Sequence, residues 1–304
     1  MSQQQQQLVI EGGKPLRGRL PASGSKNAAL YTLAAALLTA EPVLLHNVPE
    51  IADIGEMGRL LRSLGARVSI EGTDVAIDAS GVTELMASPE HVVALRASFL
   101  VMGPLLARRG EAGCAPPGGD VIGVRPLDVH LAGFRALGAD VRREGQNFVA
   151  RAASSGGSSG GGSGGGAAGR SGGADPQGGR LRGARIFLDY PSVLGTVNVL
   201  FAATLARGTT TIVNAAAEPE VAMAGEMLCA MGARVGGHGT NTITVEGVAA
   251  LHGVEFRVIP DRIEGGTFLL AAVATGGDVM IEGAEPAHLD SLIAKLREAG
   301  AEVE

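Results

Sequence analysis

Lys26, Asn27, Arg96, Asp120, Arg125 and Asp128 are the residues whose types and settings point to chemistry in this chain. Asp120, Arg125 and Asp128 share the stretch Gly118-Gly119-Asp120-Val121-Ile122-Gly123-Val124-Arg125-Pro126-Leu127-Asp128. Its glycines allow a sharp turn and the close approach of a ligand. An acid and a permanent cation in one such loop suit recognition of an anion. Pro116 and Pro117 stiffen the approach to it. Lys26 follows Ser23-Gly24-Ser25 and precedes an Ala/Leu-rich run, which predicts a helix start whose unpaired N–H groups attract anions. Arg96 stands by itself in the apolar run Leu95-Arg96-Ala97-Ser98-Phe99-Leu100-Val101-Met102-Gly103-Pro104, where a charge either snorkels, closes a structural ion pair or meets a ligand. Glu218 and Glu220 form a carboxylate pair whose place ahead of an apolar run suits a helix start. Cys114 reads as a small packing residue, and the His residues show no metal-ligand spacing.

The elements that must hold these residues repeat. Leu60-Leu61-Arg62-Ser63-Leu64-Gly65-Ala66-Arg67-Val68 is echoed by Phe134-Arg135-Ala136-Leu137-Gly138-Ala139-Asp140-Val141. It returns as Met227-Leu228-Cys229-Ala230-Met231-Gly232-Ala233-Arg234-Val235 and as Lys295-Leu296-Arg297-Glu298-Ala299-Gly300-Ala301-Glu302-Val303. Each copy reads as an amphipathic helix stopped by glycine and followed by a strand. Upstream, Val43-Leu44-Leu45-His46-Asn47-Val48-Pro49-Glu50 resembles Thr211-Ile212-Val213-Asn214-Ala215-Ala216-Ala217-Glu218. The interval between Gly138 and Gly232 is the long one, and it holds residues 154–179, almost wholly Gly, Ser and Ala. That composition cannot offset its ordering entropy, so it is expected to be a flexible surface insertion within 154–183. Without it the period is about 70 residues throughout. The fourth copy is expected to end inside its strand, as in a truncated version of a longer chain. Residues 8–20 read as two short strands around Gly12-Gly13.

Composition narrows the class. Hydrophobic residues make up 45% of the chain and aromatics 3%, which predicts a core of Ala, Val, Leu and Ile. A net charge of −6 without a basic run argues against nucleic acid, whereas an anionic small molecule still fits. Two cysteines and the absence of a targeting pattern at the N-terminus fit a cytoplasmic protein. The apolar run 28–40 is too short for a membrane span.

Several stretches together resemble the UDP-N-acetylglucosamine enolpyruvyl transferase family. They are Ser23-Gly24-Ser25-Lys26-Asn27-Ala28-Ala29-Leu30, the run from Arg96, the loop Gly118–Asp128, Asn214-Ala215-Ala216-Ala217-Glu218-Pro219-Glu220 and Pro260-Asp261-Arg262-Ile263-Glu264. The resemblance implies an inside-out α/β barrel fold, with helices inside and sheets outside. A complete first barrel of three repeats would span 23–258, and part of a second would comprise 1–22 and 259–304. It implies transfer of the enolpyruvyl group of phosphoenolpyruvate to the 3-hydroxyl of UDP-N-acetylglucosamine with release of phosphate, the first committed step of peptidoglycan synthesis. No metal, other cofactor, nucleic acid or membrane is implied.

By the same resemblance, Lys26 and Asn27 fall where phosphoenolpyruvate is held, Arg96 contacts the UDP-sugar, and Arg125 grips phosphate and carboxylate. Pro126, Leu127, Asp128 and Val129, with Ser192 and Val193, match stretches that seat uridine and diphosphate. Asp120 stands where many relatives carry the Cys that protonates the methylene carbon and reacts with the epoxide fosfomycin; a subset carries Asp. Tyr190 stands where some relatives have Lys, and Asp189 suits a cap as well as a ligand. The family's base and further phosphate-binding Arg residues are expected beyond Glu304, so the chain as written is expected to turn over little. The rivals are the shikimate-pathway enolpyruvyl transferase and a non-catalytic paralogue.

Overall fold

A computed structural model describes residues 9, 11–118, 126–153 and 180–304. Asp120 and Arg125, and residues 154–179 of the insertion, lie outside the described residues. In chain order the elements open with β1 (Arg17–Pro21), α1 (Lys26–Ala35), β2 (Val43–His46), α2 (Ala52–Ser63), β3 (Arg67–Glu71) and β4 (Asp74–Asp78). Next come α3 (Pro89–Ala94), a 3-10 turn (Arg96–Val101), α4 (Met102–Arg109), β5 (Glu111–Cys114), α5 (Asp128–Ala136), β6 (Ala139–Glu144) and β7 (Asn147–Ala152). Then follow β8 (Arg185–Phe187), α6 (Val193–Thr204), β9 (Thr209–Val213), α7 (Pro219–Ala230), β10 (Arg234–Gly236), β11 (Thr242–Glu246) and β12 (Val254–Arg257). The chain closes with α8 (Arg262–Thr275), β13 (Asp278–Glu282) and α9 (Asp290–Glu298).

The chain divides into a unit Gly24–Ile259 and a unit made of Met1–Ser23 and Pro260–Glu304. In the larger unit, three sheets share one plan. β12 runs parallel to β2, which pairs with the antiparallel hairpin β3–β4. β8 runs parallel to β9, which pairs with the hairpin β10–β11. The third sheet has β5 against the hairpin β6–β7, with Met86 bridging Gly113 in parallel fashion in place of the first strand. Strand residues alternate between buried and exposed, as in β4 and β11, so each sheet keeps one wet face. α1 and α6 have no polar face: residues 28–35 and 195–204 are all buried. A helix that is apolar all round belongs in the core, so helices lie inside and sheets outside. Phe99, Phe134 and Phe201 are the largest of the fully buried side chains, set among Ala, Leu and Val.

Recurrent joints make the repeats. Gly65, Gly138, Gly232 and Gly300 all have left-handed backbone, with φ from +87 to +103. Glycine takes that conformation without a Cβ clash. At Gly65 the N–H bonds back to Arg62 O and the next N–H to Leu61 O, and the same pair recurs at Gly232 and Gly300. This crossed pair satisfies carbonyls that a helix end leaves open. A side chain three residues before each glycine reaches the carbonyl three residues after it. Arg62 donates to Val68 O, Arg135 to Val141 O, Cys229 Sγ to Val235 O and Arg297 to Val303 O.

Two expectations about the repeats need correction. Asn47 and Asn214 both have φ near +60, and each side chain donates to the carbonyl just past the parallel strand, Val258 O after β12 and Leu188 O after β8. These asparagines are therefore equivalent, and the upstream flanks match one residue out of the register suggested by the sequence. In the fourth copy, residues 301–304 form no strand, because no described strand pairs with them.

In the smaller unit β1 pairs in parallel with β13, the strand that follows α8. The strand expected ahead of Gly12-Gly13 lies partly outside the described residues, and β1, which follows that turn, pairs with β13. Asp261 caps α8 by accepting the N–H groups of Ile263 and Glu264. Ser23 donates through its N–H and hydroxyl to the Glu264 carboxylate, at 2.7 and 3.2 Å. Ile263, Leu270 and Val273 of α8 are exposed. Among the described residues, no helix is long and apolar enough to cross a membrane.

Candidate active site

Two groups of the expected residues sit in the larger unit. The first is the mouth of α1. Ser25 is the extended N-cap residue and its hydroxyl accepts the Ala28 N–H, which leaves Lys26 and Asn27 to open the helix beside its unpaired N–H groups. Gly24 has to be glycine, since a Cβ there would lie 1.6 Å from Asn47 O. Lys26 Nζ lies 3.2 Å from Asp53 Oδ2 in the first turn of α2. Half of the Lys26 side chain is solvent-exposed. A pair so open adds at most about 1 kcal/mol to stability. Its consequence is positional: Asp53 keeps a cation at the helix mouth.

The second group gathers at the N-termini of α5 and α6. Asp128 opens α5, Val129 is buried just behind it, and Pro126 and Leu127 lead in. Ser192 caps α6 by accepting the Gly195 N–H at 3.2 Å, so Val193 is its first residue. The two first turns are wedged together, because a Cβ on Gly195 would meet Val129 Cγ1 at 2.6 Å. Tyr190 donates its hydroxyl to Asp128 Oδ1 at 2.8 Å, which joins the loop before α6 to the start of α5. Burial first, and then this bond to Asp128, push the Tyr190 phenol up to about 12, so it remains a neutral donor. Arg96, half-buried at the start of its 3-10 turn, acts electrostatically on both Tyr190 and His130.

One buried amide holds this group together. Asn198 of α6 is fully buried; its Oδ1 accepts the Gly103 N–H at 2.7 Å. Its Nδ2 donates to Phe99 O at 2.9 Å and meets His130 Nδ1 at 3.0 Å. With the amide nitrogen as donor, Nδ1 is the acceptor and the His130 ring proton sits on Nε2. Burial, and secondarily Arg96, hold His130 down to about 4, so it is neutral. The Phe99 ring packs edge-on to the imidazole at 5.2 Å. One side chain on α6 thus fixes the turn that carries Arg96, the start of α4 and the helix that carries Asp128.

The glycine-rich loop is seen at its entry. Gly118 N–H donates to Val92 O, and a Cβ on Gly118 would lie 1.9 Å from Val93 O, so the entry of the loop after β5 is pressed against α3, just ahead of Arg96. α1 packs on the Arg96–Val101 turn. Cys114 is fully buried, with its thiol pushed up to about 12 by burial, consistent with packing. Glu218 is the N-cap residue of α7 and Glu220 is buried in its first turn. Among the described residues no cluster could hold a metal ion. Asp53, His130 and Asn198 were not singled out from sequence, although a lone amide in an otherwise apolar α6 was a visible signal.

The family model described as EPSP synthase (3-phosphoshikimate 1-carboxyvinyltransferase) matches residues 10–304. The chain belongs to this family. The chain is 43% identical over 296 residues to a UDP-N-acetylglucosamine 1-carboxyvinyltransferase of Halothermothrix orenii (strain H 168 / OCM 544 / DSM 9562). That match covers 97% of this chain and 65% of the relative. Among solved structures, the enolpyruvyl transferase NikO from Streptomyces tendae matches with a TM-score of 0.67 at 22% identity, over 86% of this chain and 56% of that one. The EPSP synthase from Acinetobacter baumannii matches with a TM-score of 0.69 at 19% identity, over 97% of this chain and 62% of that one. The fold is therefore that of the enolpyruvyl transferases, the inside-out α/β arrangement described above.

Proposed function

We propose that the protein takes part in transfer of the enolpyruvyl group from phosphoenolpyruvate to the 3-hydroxyl of UDP-N-acetylglucosamine, in cytoplasmic peptidoglycan synthesis and thus in cell shape and division. The observation that carries this reading is the wedge of α5 and α6, where two helix N-termini, Arg96 and Asp128 converge. Two adjacent helix N-termini with a cation beside them suit a diphosphate. Pro126, Leu127, Asp128 and Val129, with Ser192 and Val193, would then seat the nucleotide. The 43% identity to a relative of that name supports the same substrate.

In this reading Lys26 and Asn27 hold the phosphate of phosphoenolpyruvate at the mouth of α1, with Asp53 fixing Lys26. Arg125 pairs with its phosphate and carboxylate. The sugar hydroxyl oxygen bonds to the central carbon of phosphoenolpyruvate and gives its proton to a general base, while the Asp120 carboxyl gives its proton to the methylene carbon, making it a methyl group. Phosphate then leaves the central carbon, with its C–O bond pair, and takes one proton from that methyl group, which yields the enol ether. Asp120 must enter protonated; a bound anion and loss of solvent favour that form, whereas Arg125 opposes it.

The family description favours a second reading, in which shikimate 3-phosphate is the acceptor. Calorimetric titration of the chain with UDP-N-acetylglucosamine and with shikimate 3-phosphate, beside phosphate-release assays, separates the two. Binding of the UDP-sugar but not of shikimate 3-phosphate is expected; the reverse preference would overturn the proposal.

A further inference from the structure

Tyr190 has a role at this site that the family reading does not assign. Asp128 Oδ1 receives two hydrogen bonds, from the Val129 N–H at 2.9 Å and from the Tyr190 hydroxyl at 2.8 Å. With that oxygen filled, Oδ2 is the one offered to a ligand. The loop that carries Tyr190 is itself fixed. Leu188 N–H donates to Val213 O, Asn214 Nδ2 donates to Leu188 O, and Ser192 N–H donates back to Tyr190 O at 2.8 Å.

We propose that Tyr190 is a positioning residue: it turns Asp128 so that Oδ2 accepts from a donor on the nucleoside end of the sugar nucleotide. This rests on the UDP-sugar reading given above. A carboxylate at the mouth of a diphosphate site would by itself repel the ligand. It becomes useful only when it is aimed at an N–H or O–H donor, such as the uracil imide or a ribose hydroxyl. The phenol supplies that aim as a neutral donor and adds no charge of its own. The pair therefore selects for a nucleoside over a bare diphosphate, while Arg96 and the helix N-termini take the charge.

The test is calorimetric titration of the full chain, wild type and Tyr190→Phe, with UDP-N-acetylglucosamine and with inorganic pyrophosphate. Tyr190→Phe keeps the ring and removes only the donor. It is expected to weaken UDP-N-acetylglucosamine by about tenfold and to leave pyrophosphate within about twofold. In an Asp128→Asn background, the same change should alter affinity for the UDP-sugar by less than about twofold, because the carboxylate it orients is gone. Unchanged affinity for the UDP-sugar, or equal loss for both ligands, would overturn the role of Tyr190 while leaving the substrate intact. A wild-type chain that binds pyrophosphate but not the UDP-sugar would overturn the substrate reading, and this proposal with it.

Discussion

The Lys26 ammonium and the Asp53 carboxylate meet at 3.2 Å across the first turns of α1 and α2. Neither is buried, so the pair steers a side chain more than it stabilises the fold. Asp53→Asn is expected to shift the melting temperature by less than about 2 °C. It should weaken phosphoenolpyruvate binding several-fold, because Lys26 loses its ion pair with Asp53. Phosphoenolpyruvate titrations of the two proteins check this, and a variant that binds it better would show that Asp53 competes for Lys26 instead of placing it.

Asn198 carries more of the stability. Replacing it with Leu strands the Gly103 N–H and His130 Nδ1 in a dry interior and leaves the Phe99 carbonyl with the Met102 N–H alone. Each orphaned group costs about 1–3 kcal/mol, so a total above about 2 kcal/mol is expected in urea unfolding. Asn198→Asp retains the acceptor for Gly103 and loses the donors. Its carboxylate should raise the His130 ionisation from about 4, which imidazole NMR shifts would report. A loss below about 1 kcal/mol on Asn198→Leu would show that the network is slack.

His46 gives a pH signature. Its Nδ1 lies 2.9 Å from Asp74 and its Nε2 2.9 Å from Glu255, so one imidazole links β4 and β12 across β2. The bond to Asp74 first, and that to Glu255 second, raise its ionisation above the ordinary value. A raised folded value means stabilisation that is fully present below the unfolded value of about 6.5 and fades as pH rises through the folded one. The melting-temperature gap between wild type and His46→Gln should therefore shrink from about pH 5.5 to 8.5. A gap that widens with pH would contradict the ion pair.

Asp120 makes a chemical prediction. A carboxylate there offers no thiol to an epoxide, so fosfomycin should leave Asp120 unmodified, and Asp120→Cys should create a covalent adduct at that position visible by mass spectrometry. A rapid wild-type adduct on Asp120 would refute it.

The features legible in the sequence were those with a strong local cause. Gly65, Gly138, Gly232 and Gly300 could be read as helix stops because left-handed backbone selects for glycine. Ser25 was legible as a cap because its hydroxyl answers a helix N–H. Asp53 and Asn198 were not, since an acid on an amphipathic helix and an amide in an apolar one reveal their partners only once the helices pack. The repeat register slipped by one residue because β-prone flanks align almost equally well in two frames. Matching Asn47 to Asn214, two polar residues at strand ends, held the answer. The strand expected after Gly300 failed because strands need a neighbour, which a local pattern does not supply.

The glycine joints are built alike but not equally strong. At three of them an arginine reaches across the turn, through two nitrogens from Arg62 and Arg297 and one from Arg135, whereas in the third repeat only the Cys229 thiol reaches Val235 O, at 3.5 Å. A thiol is a weak donor with no fork to share. The seam between α7 and β10 is therefore where the larger unit should begin to breathe. Its amides should exchange with deuterium ahead of those between α2 and β3, and Cys229→Arg should slow them.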